Sequence, residues 1–81
     1  PVATKHVESV PLEECAGRVA AEMIIPYPPG IPLLYMGESI SKDMQKHLLV
    51  LSAAGAKCHA AADPELQSIM VFKKDRKQEN L

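Results

Sequence analysis

Ile25-Pro26-Tyr27-Pro28-Pro29-Gly30-Ile31-Pro32 decides how this chain is read, because four of its seven prolines and one of its four glycines fall between Pro26 and Pro32. Each proline fixes its own φ, removes a backbone donor and drives the preceding residue toward extended geometry. Regular secondary structure is excluded there. Residues 26–32 are expected to form a stiff extended loop that places its groups reproducibly. Tyr27–Pro28 is an aromatic-Pro bond and a candidate for the cis isomer, against a base expectation of trans. Gly30 is expected to relieve a backbone conformation that a Cβ does not tolerate.

Working outward, Arg18 to Ile25 alternates with period two and predicts a strand, with Val19, Ala21, Met23 and Ile25 on one face. Glu22 shares the other face with Ala20 and Ile24, so partial burial is expected of it. Further upstream, Pro11 to Gly17 reads as one or two turns of helix, with Pro in the first turn, Glu13 and Glu14 near the positive end of the dipole, and Gly17 as terminator. After the loop, Leu33 to Tyr35 is a short apolar run suited to a strand, closed by Met36-Gly37-Glu38. Ser41 is placed to cap a helix of about 41–54, with Asp43 in its first turn, Met44, Leu48 and Leu51 at helical spacing, and Gly55 to end it. Ala56 to Ala60 and Gln67 to Phe72 read as two strands joined by a turn at Asp63-Pro64. The expectation is an α+β fold: one small domain over residues 1–72 and a polar, basic tail over 73–81.

Size and composition agree with a single domain. Eighty-one residues, 47% of them hydrophobic, supply one compact core and no more. Nine basic and ten acidic residues leave a formal net charge of -1, so nothing global argues for nucleic acid or an anionic membrane. The tail holds four of the basic residues and two of the acidic ones, which leaves a body with a formal charge of -3. Aromatic residues are 4% of the chain and Trp is absent, too few for a base-stacking surface or an aromatic cage. Two cysteines fall far below the density of a disulfide scaffold and favour a reducing, cytoplasmic setting. The prolines break the most apolar stretch well short of a membrane span of roughly 20 residues. No secretory signal is visible, and a start at Pro1 suggests a processed product, a trimmed chain or a piece of something longer.

The candidate chemistry is sparse. His6, His47, His59, Cys15 and Cys58 have no recognised metal or nucleophile spacing, and the adjacent Cys58 and His59 point to opposite faces on a strand. These read as buried thiols and surface or half-buried histidines. The four glycines do not form a phosphate loop. Lys57 lacks the surroundings that lower a lysine pKa for imine chemistry. Two PxxP spacings in 26–32 suggest a polyproline ligand, but flanking hydrophobic strands favour a loop packed on the core.

The run from Ala21 to Leu34, followed by Gly37-Glu38 and preceded by Val10-Pro11-Leu12-Glu13-Glu14 and Gly17-Arg18, resembles the C-terminal domain of the ornithine/lysine/arginine decarboxylase family. The resemblance is specific through about residue 55 and extends without sharp motifs to Phe72. One departure is Met36-Gly37-Glu38, where the family pattern has Pro-Gly-Glu. The resemblance implies a part of an enzyme of polyamine metabolism. In such enzymes a large fold-type-I domain uses pyridoxal 5'-phosphate to decarboxylate a basic amino acid, and a small α+β domain packs beside it. The cofactor lysine belongs to the large domain, in a Ser-x-His-Lys setting this sequence does not contain, so the fragment alone is expected to be inactive. The implied partners are the large domain of the same chain, further copies in a homo-oligomer, and the basic substrate.

A carboxylate on a stiff support could pair with the distal cation of such a substrate. Glu22 and Glu38 flank the loop. Either of them, with Tyr27 and the Pro28, Pro29 and Gly30 backbone, is a candidate to line the substrate entrance; the alternative is that all serve only internal packing. The reading from another class is an independent protein-binding or assembly module with a Pro-rich contact loop and no enzymatic role.

Overall fold

The computed structural model describes residues 6–74. Its elements in chain order are strand β1 (Val7–Pro11), a single 3-10 turn (Leu12–Glu14), helix α1 (Lys42–Ala53) and strand β2 (Ser68–Phe72). The two strands pair antiparallel, from Val7 opposite Phe72 to Pro11 opposite Ser68, and Lys73 N–H donates to the His6 carbonyl just beyond them, at 2.9 Å. One helix on a two-stranded sheet, with long irregular connections, is the expected small α+β architecture.

Helix α1 forms where its caps and apolar spacing place it. The Ser41 hydroxyl accepts from Met44 N–H at 3.0 Å, and Asp43 lies in the first turn, which satisfies an orphan donor and complements the dipole. Gly55, at φ +85, ends it. Leu48 is fully buried and Met44 and Leu49 pack against the core, while Lys42, Lys46 and Val50 face out. Gln45 Nε2 donates to the Leu12 carbonyl at 2.8 Å, tying the helix to the 3-10 turn. The core lies between α1, the sheet and the two irregular segments, around Ile24, Leu34, Ile40, Leu48, Ile69 and Val71.

Several expectations are corrected. Residues 7–11 form a strand that the sequence did not announce, and the helix expected over 11–17 shrinks to one 3-10 turn with Pro11 at its N-cap. Arg18 to Ile25 is not a ladder strand: Val19 bridges Ser39, Ala20 bridges Val71 and Ile24 bridges Leu34. Its alternation is nonetheless real, since Ala20 and Ile24 are buried and Glu22 is half-buried. The pairing changes partner every few residues, so no continuous strand develops. Leu33 to Tyr35 contributes only the bridge at Leu34, and Ala56 to Ala60 only the bridge from Lys57 to Tyr27 before the chain turns at His59. Of the basic tail, residues 75–81 lie outside the described residues. No helix among the described residues is long and apolar enough to cross a membrane.

The turn at Asp63 is built by its side chain. The carboxylate accepts from the N–H groups of Glu65, Gln67 and Ser68 and from the Ser68 hydroxyl, all at 3.0 or 3.1 Å. These bonds brace buried Leu66, whose φ of +56 lies in the left-handed region, a conformation that costs a leucine roughly 1–2 kcal/mol. Desolvation acts to raise the Asp63 pKa, but the donors of Glu65, Gln67 and Ser68 outweigh it and hold the group below its ordinary 3.8. A depressed carboxylate contributes stability above its unfolded-state pKa and loses it as pH falls through the folded-state value. Urea midpoints are therefore expected to decline as pH drops below about 3.8. Asp63→Asn should be less stable by about 1 kcal/mol at neutral pH and show a shallower acid decline. An unchanged acid slope in that variant assigns the transition to other groups.

Candidate functional site

Residues 24–34 form a closed loop. Ile24 N–H donates to Leu34 O, and Leu33 N–H to Ile24 O, each at 2.9 Å, which fixes the base. At the tip, Gly30 N–H donates to the Pro26 carbonyl at 2.7 Å, closing an α-turn through Tyr27, Pro28 and Pro29. The Tyr27–Pro28 and Pro28–Pro29 peptides are both cis. Tyr27 is held from the side by a two-way bridge: its N–H donates to Lys57 O at 2.7 Å, and Lys57 N–H returns to Tyr27 O at 3.1 Å.

Its ring is seated between neighbours. The His59 ring lies 5.6 Å away at 43°. On another side is Gly30, at φ +85, where a Cβ would stand 2.6 Å from Tyr27 Cε1. Even so, Tyr27 remains 49% exposed. Gly17 has a similar φ of +84 and nothing within 4 Å of its absent Cβ, so it isolates the backbone effect. Gly17→Ala is expected to cost about 1 kcal/mol, the ordinary left-handed penalty. Gly30→Ala should cost about 2 kcal/mol, adding displacement of the ring to that penalty. Equal losses in thermal denaturation would show that the ring does not depend on Gly30.

The two flanking carboxylates act locally. Glu22 Oε1 accepts from Ala62 N–H at 3.0 Å and its Oε2 from Met70 N–H at 2.8 Å, so one side chain joins the turn after Cys58 to strand β2. Glu38 Oε1 accepts from Tyr35 N–H at 2.7 Å, across a turn closed by Glu38 N–H on Tyr35 O at 3.1 Å. Gly37 has φ +94 in that turn, as the third position of a type II turn requires. The second position, held by Met36, is the one where proline is common, so Met36-Gly37-Glu38 suits the same turn as the expected Pro-Gly-Glu. Glu38 Oε2 makes no hydrogen bond among the described residues. Thus Tyr27, Pro28, Pro29 and Gly30 come together in one turn, whereas the hydrogen bonds of Glu22 and Glu38 go to backbone amides outside it.

Other side chains meet this turn that the sequence did not bring to it. Between Pro28, Pro29, Ile31 and Pro32 on one side and His47 and Leu51 of α1 on the other runs an apolar groove of about 230 Å³. His59, expected to be a surface or half-buried histidine, is exposed and packs on Tyr27.

The remaining candidates are dispersed. Cys15 and Cys58 are free and buried; burial raises both thiol pKa values, with Glu13 adding to the effect at Cys15 and Glu22 at Cys58. Among the described residues no group of three or more His, Cys, Asp or Glu could hold a metal ion. Lys42, Lys46, Lys73 and Lys74 are exposed and Lys57 pairs with Glu65, so no described lysine sits in the desolvated pocket that imine formation favours. These residues do not fit pyridoxal 5'-phosphate.

Fold and turn together define a small α+β domain that presents a braced proline-rich turn on a carboxylate-tied frame. The sequence model of the Orn/Lys/Arg decarboxylase C-terminal domain matches residues 1–75, and the chain belongs to that family. It is 48% identical over 53 residues to the constitutive lysine decarboxylase of Escherichia coli K12, covering 62% of this chain and 7% of that protein. To the arginine decarboxylase of Bacillus subtilis 168 it is 34% identical over 71 residues, 88% of this chain and 14% of that one. The chain therefore spans a small fraction of the curated relatives it matches. Among solved structures, the lysine decarboxylase of Francisella novicida superposes with a TM-score of 0.66 at 29% identity, over 89% of this chain and 11% of that chain. The E. coli constitutive lysine decarboxylase gives 0.62 at 32%, over 86% and 12%.

Proposed function

We propose that this chain is the C-terminal domain of a cytoplasmic, homo-oligomeric, pyridoxal-phosphate-dependent decarboxylase of lysine, ornithine or arginine, inactive by itself. In this reading it packs on the large catalytic domain of the same polypeptide and contributes the proline-rich turn to the substrate entrance. The observation that carries it is the family match over residues 1–75, joined to a half-exposed Tyr27 that the fold holds from two sides. The cofactor and its lysine belong to the large domain, where pyridoxal 5'-phosphate supplies the electron sink for loss of carbon dioxide. This chain's residues orient and bind. Tyr27 and the Pro28 to Gly30 backbone shape the entrance, Glu38 offers its unshared carboxylate oxygen to the distal cation of the substrate, and Glu22 fixes the frame behind them.

Carbon dioxide release by the full-length enzyme from lysine, ornithine and arginine tests the class and names the substrate. Turnover of none of the three favours the independent binding module. For the site, Glu38→Gln and Glu22→Gln in the full-length enzyme are expected mainly to raise KM, by several-fold, with kcat little changed. Unchanged kinetics at both positions would remove Glu38 from the entrance and show that the frame held by Glu22 does not shape it.

A further inference from the structure

The most exposed apolar side chain of the turn lies on the groove between the turn and α1. Ile31, which lines it, is 65% exposed, and Pro28 and Pro29 beside it are also exposed. His47 is the one titratable side chain in that wall. An apolar surface of this kind, on a domain this small, marks a contact face.

We propose that this groove is the face covered by the catalytic body of the same polypeptide, through an apolar side chain inserted between the turn and α1. The assignment rests on the decarboxylase reading above and specifies which surface of the domain is used. Two observations select that occupant over a second copy of the domain. The relatives carry about nine-tenths of their length outside the matched segment, so a covalently attached partner is at hand. And the groove is small: eight residues line it, whereas a free-standing dimer takes roughly 20–30 residues from each copy. Tethering supplies an effective concentration of order millimolar, at which a small apolar contact stays closed. The prolines lower its ordering cost, because the turn has few conformations to lose on docking.

The test uses the full-length holoenzyme. Hydroxyl-radical footprinting is read at Ile31, native against urea-unfolded, with decarboxylase activity assayed on the same sample. If the groove is covered, native oxidation is expected to fall at least tenfold at Ile31; left open at its 65% exposure, it falls less than twofold. Active enzyme with less than a twofold drop overturns the face assignment and leaves the decarboxylase reading standing, whereas absent activity counts against that reading alone. A photo-crosslinking amino acid at position 31, in enzyme assembled from mixed isotopically heavy and light chains, then identifies the occupant. Crosslinks within one chain to the catalytic body support the proposal; crosslinks joining heavy to light chains assign the groove to another copy and overturn it.

Discussion

Leu48→Ala is expected to unfold most of the 81-residue chain at physiological temperature. Leu48 is 0% exposed and is the fully buried residue of α1, so its truncation removes transfer energy and leaves a cavity that a one-helix domain cannot close. Such changes cost about 2–5 kcal/mol. A domain of this length has a total stability of only about 3–5 kcal/mol. The apparent melting temperature should fall by at least about 8 °C, at roughly 4–8 °C per kcal/mol for a chain of this size. Val50→Ala, on the exposed side of the same helix, changes helix propensity and side-chain volume without opening the core and should shift the midpoint little. A small effect at Leu48 would mean that α1 is not the element that closes the interior.

The second large effect is expected at Glu22. Its carboxylate accepts from two amides far apart in sequence, Ala62 and Met70, and Met70 lies in strand β2. Removing the acceptor strands a part-buried donor at Met70, at a cost of about 1–3 kcal/mol, while water can replace it at exposed Ala62. Glu22→Ala is therefore expected to cost about 2 kcal/mol. Glu22→Gln should not restore the wild type, because a carboxamide has one acceptor oxygen and would turn an NH2 toward a backbone donor. Amide hydrogen exchange separates the two bonds. In Glu22→Gln one of Ala62 and Met70 keeps its protection and the other loses it; in Glu22→Ala both exchange faster. Wild-type exchange at both amides in the alanine variant would show that the clamp is not formed in solution.

These two residues also show what the sequence could disclose. Leu48 was legible, because a helix with a serine cap, a first-turn acid, apolar residues at i and i+4 and a terminal glycine is specified by neighbours in sequence; the expected 41–54 became 42–53. Strand β2 was legible through Ile69, Val71 and Phe72. Its partner β1 was not, since Val10 is its one buried residue and the strand exists by pairing with residues about sixty positions away. Glu22 lies between these cases. Alternation placed it on the inward face, but no local rule states that its carboxylate reaches Ala62 and Met70. The turn at 26–32 was marked by its prolines, and its members Tyr27, Pro28, Pro29 and Gly30 do assemble. The walls of the groove were hidden, because His47 and Leu51 arrive from an element whose approach is set by the tertiary fold.

The sheet itself carries one more consequence. Val7 stands opposite Phe72, and the Lys73 amide closes on the His6 carbonyl, while Arg18 donates to both Glu8, at 2.5 Å, and the Phe72 carbonyl, at 3.0 Å. Entry and exit of the described fold are therefore neighbouring backbone positions, about 5 Å apart as in any antiparallel pair. A unit stitched shut at one corner can be spliced into a surface loop of an unrelated protein, or reconnected through that corner and opened elsewhere, without disturbing its interior.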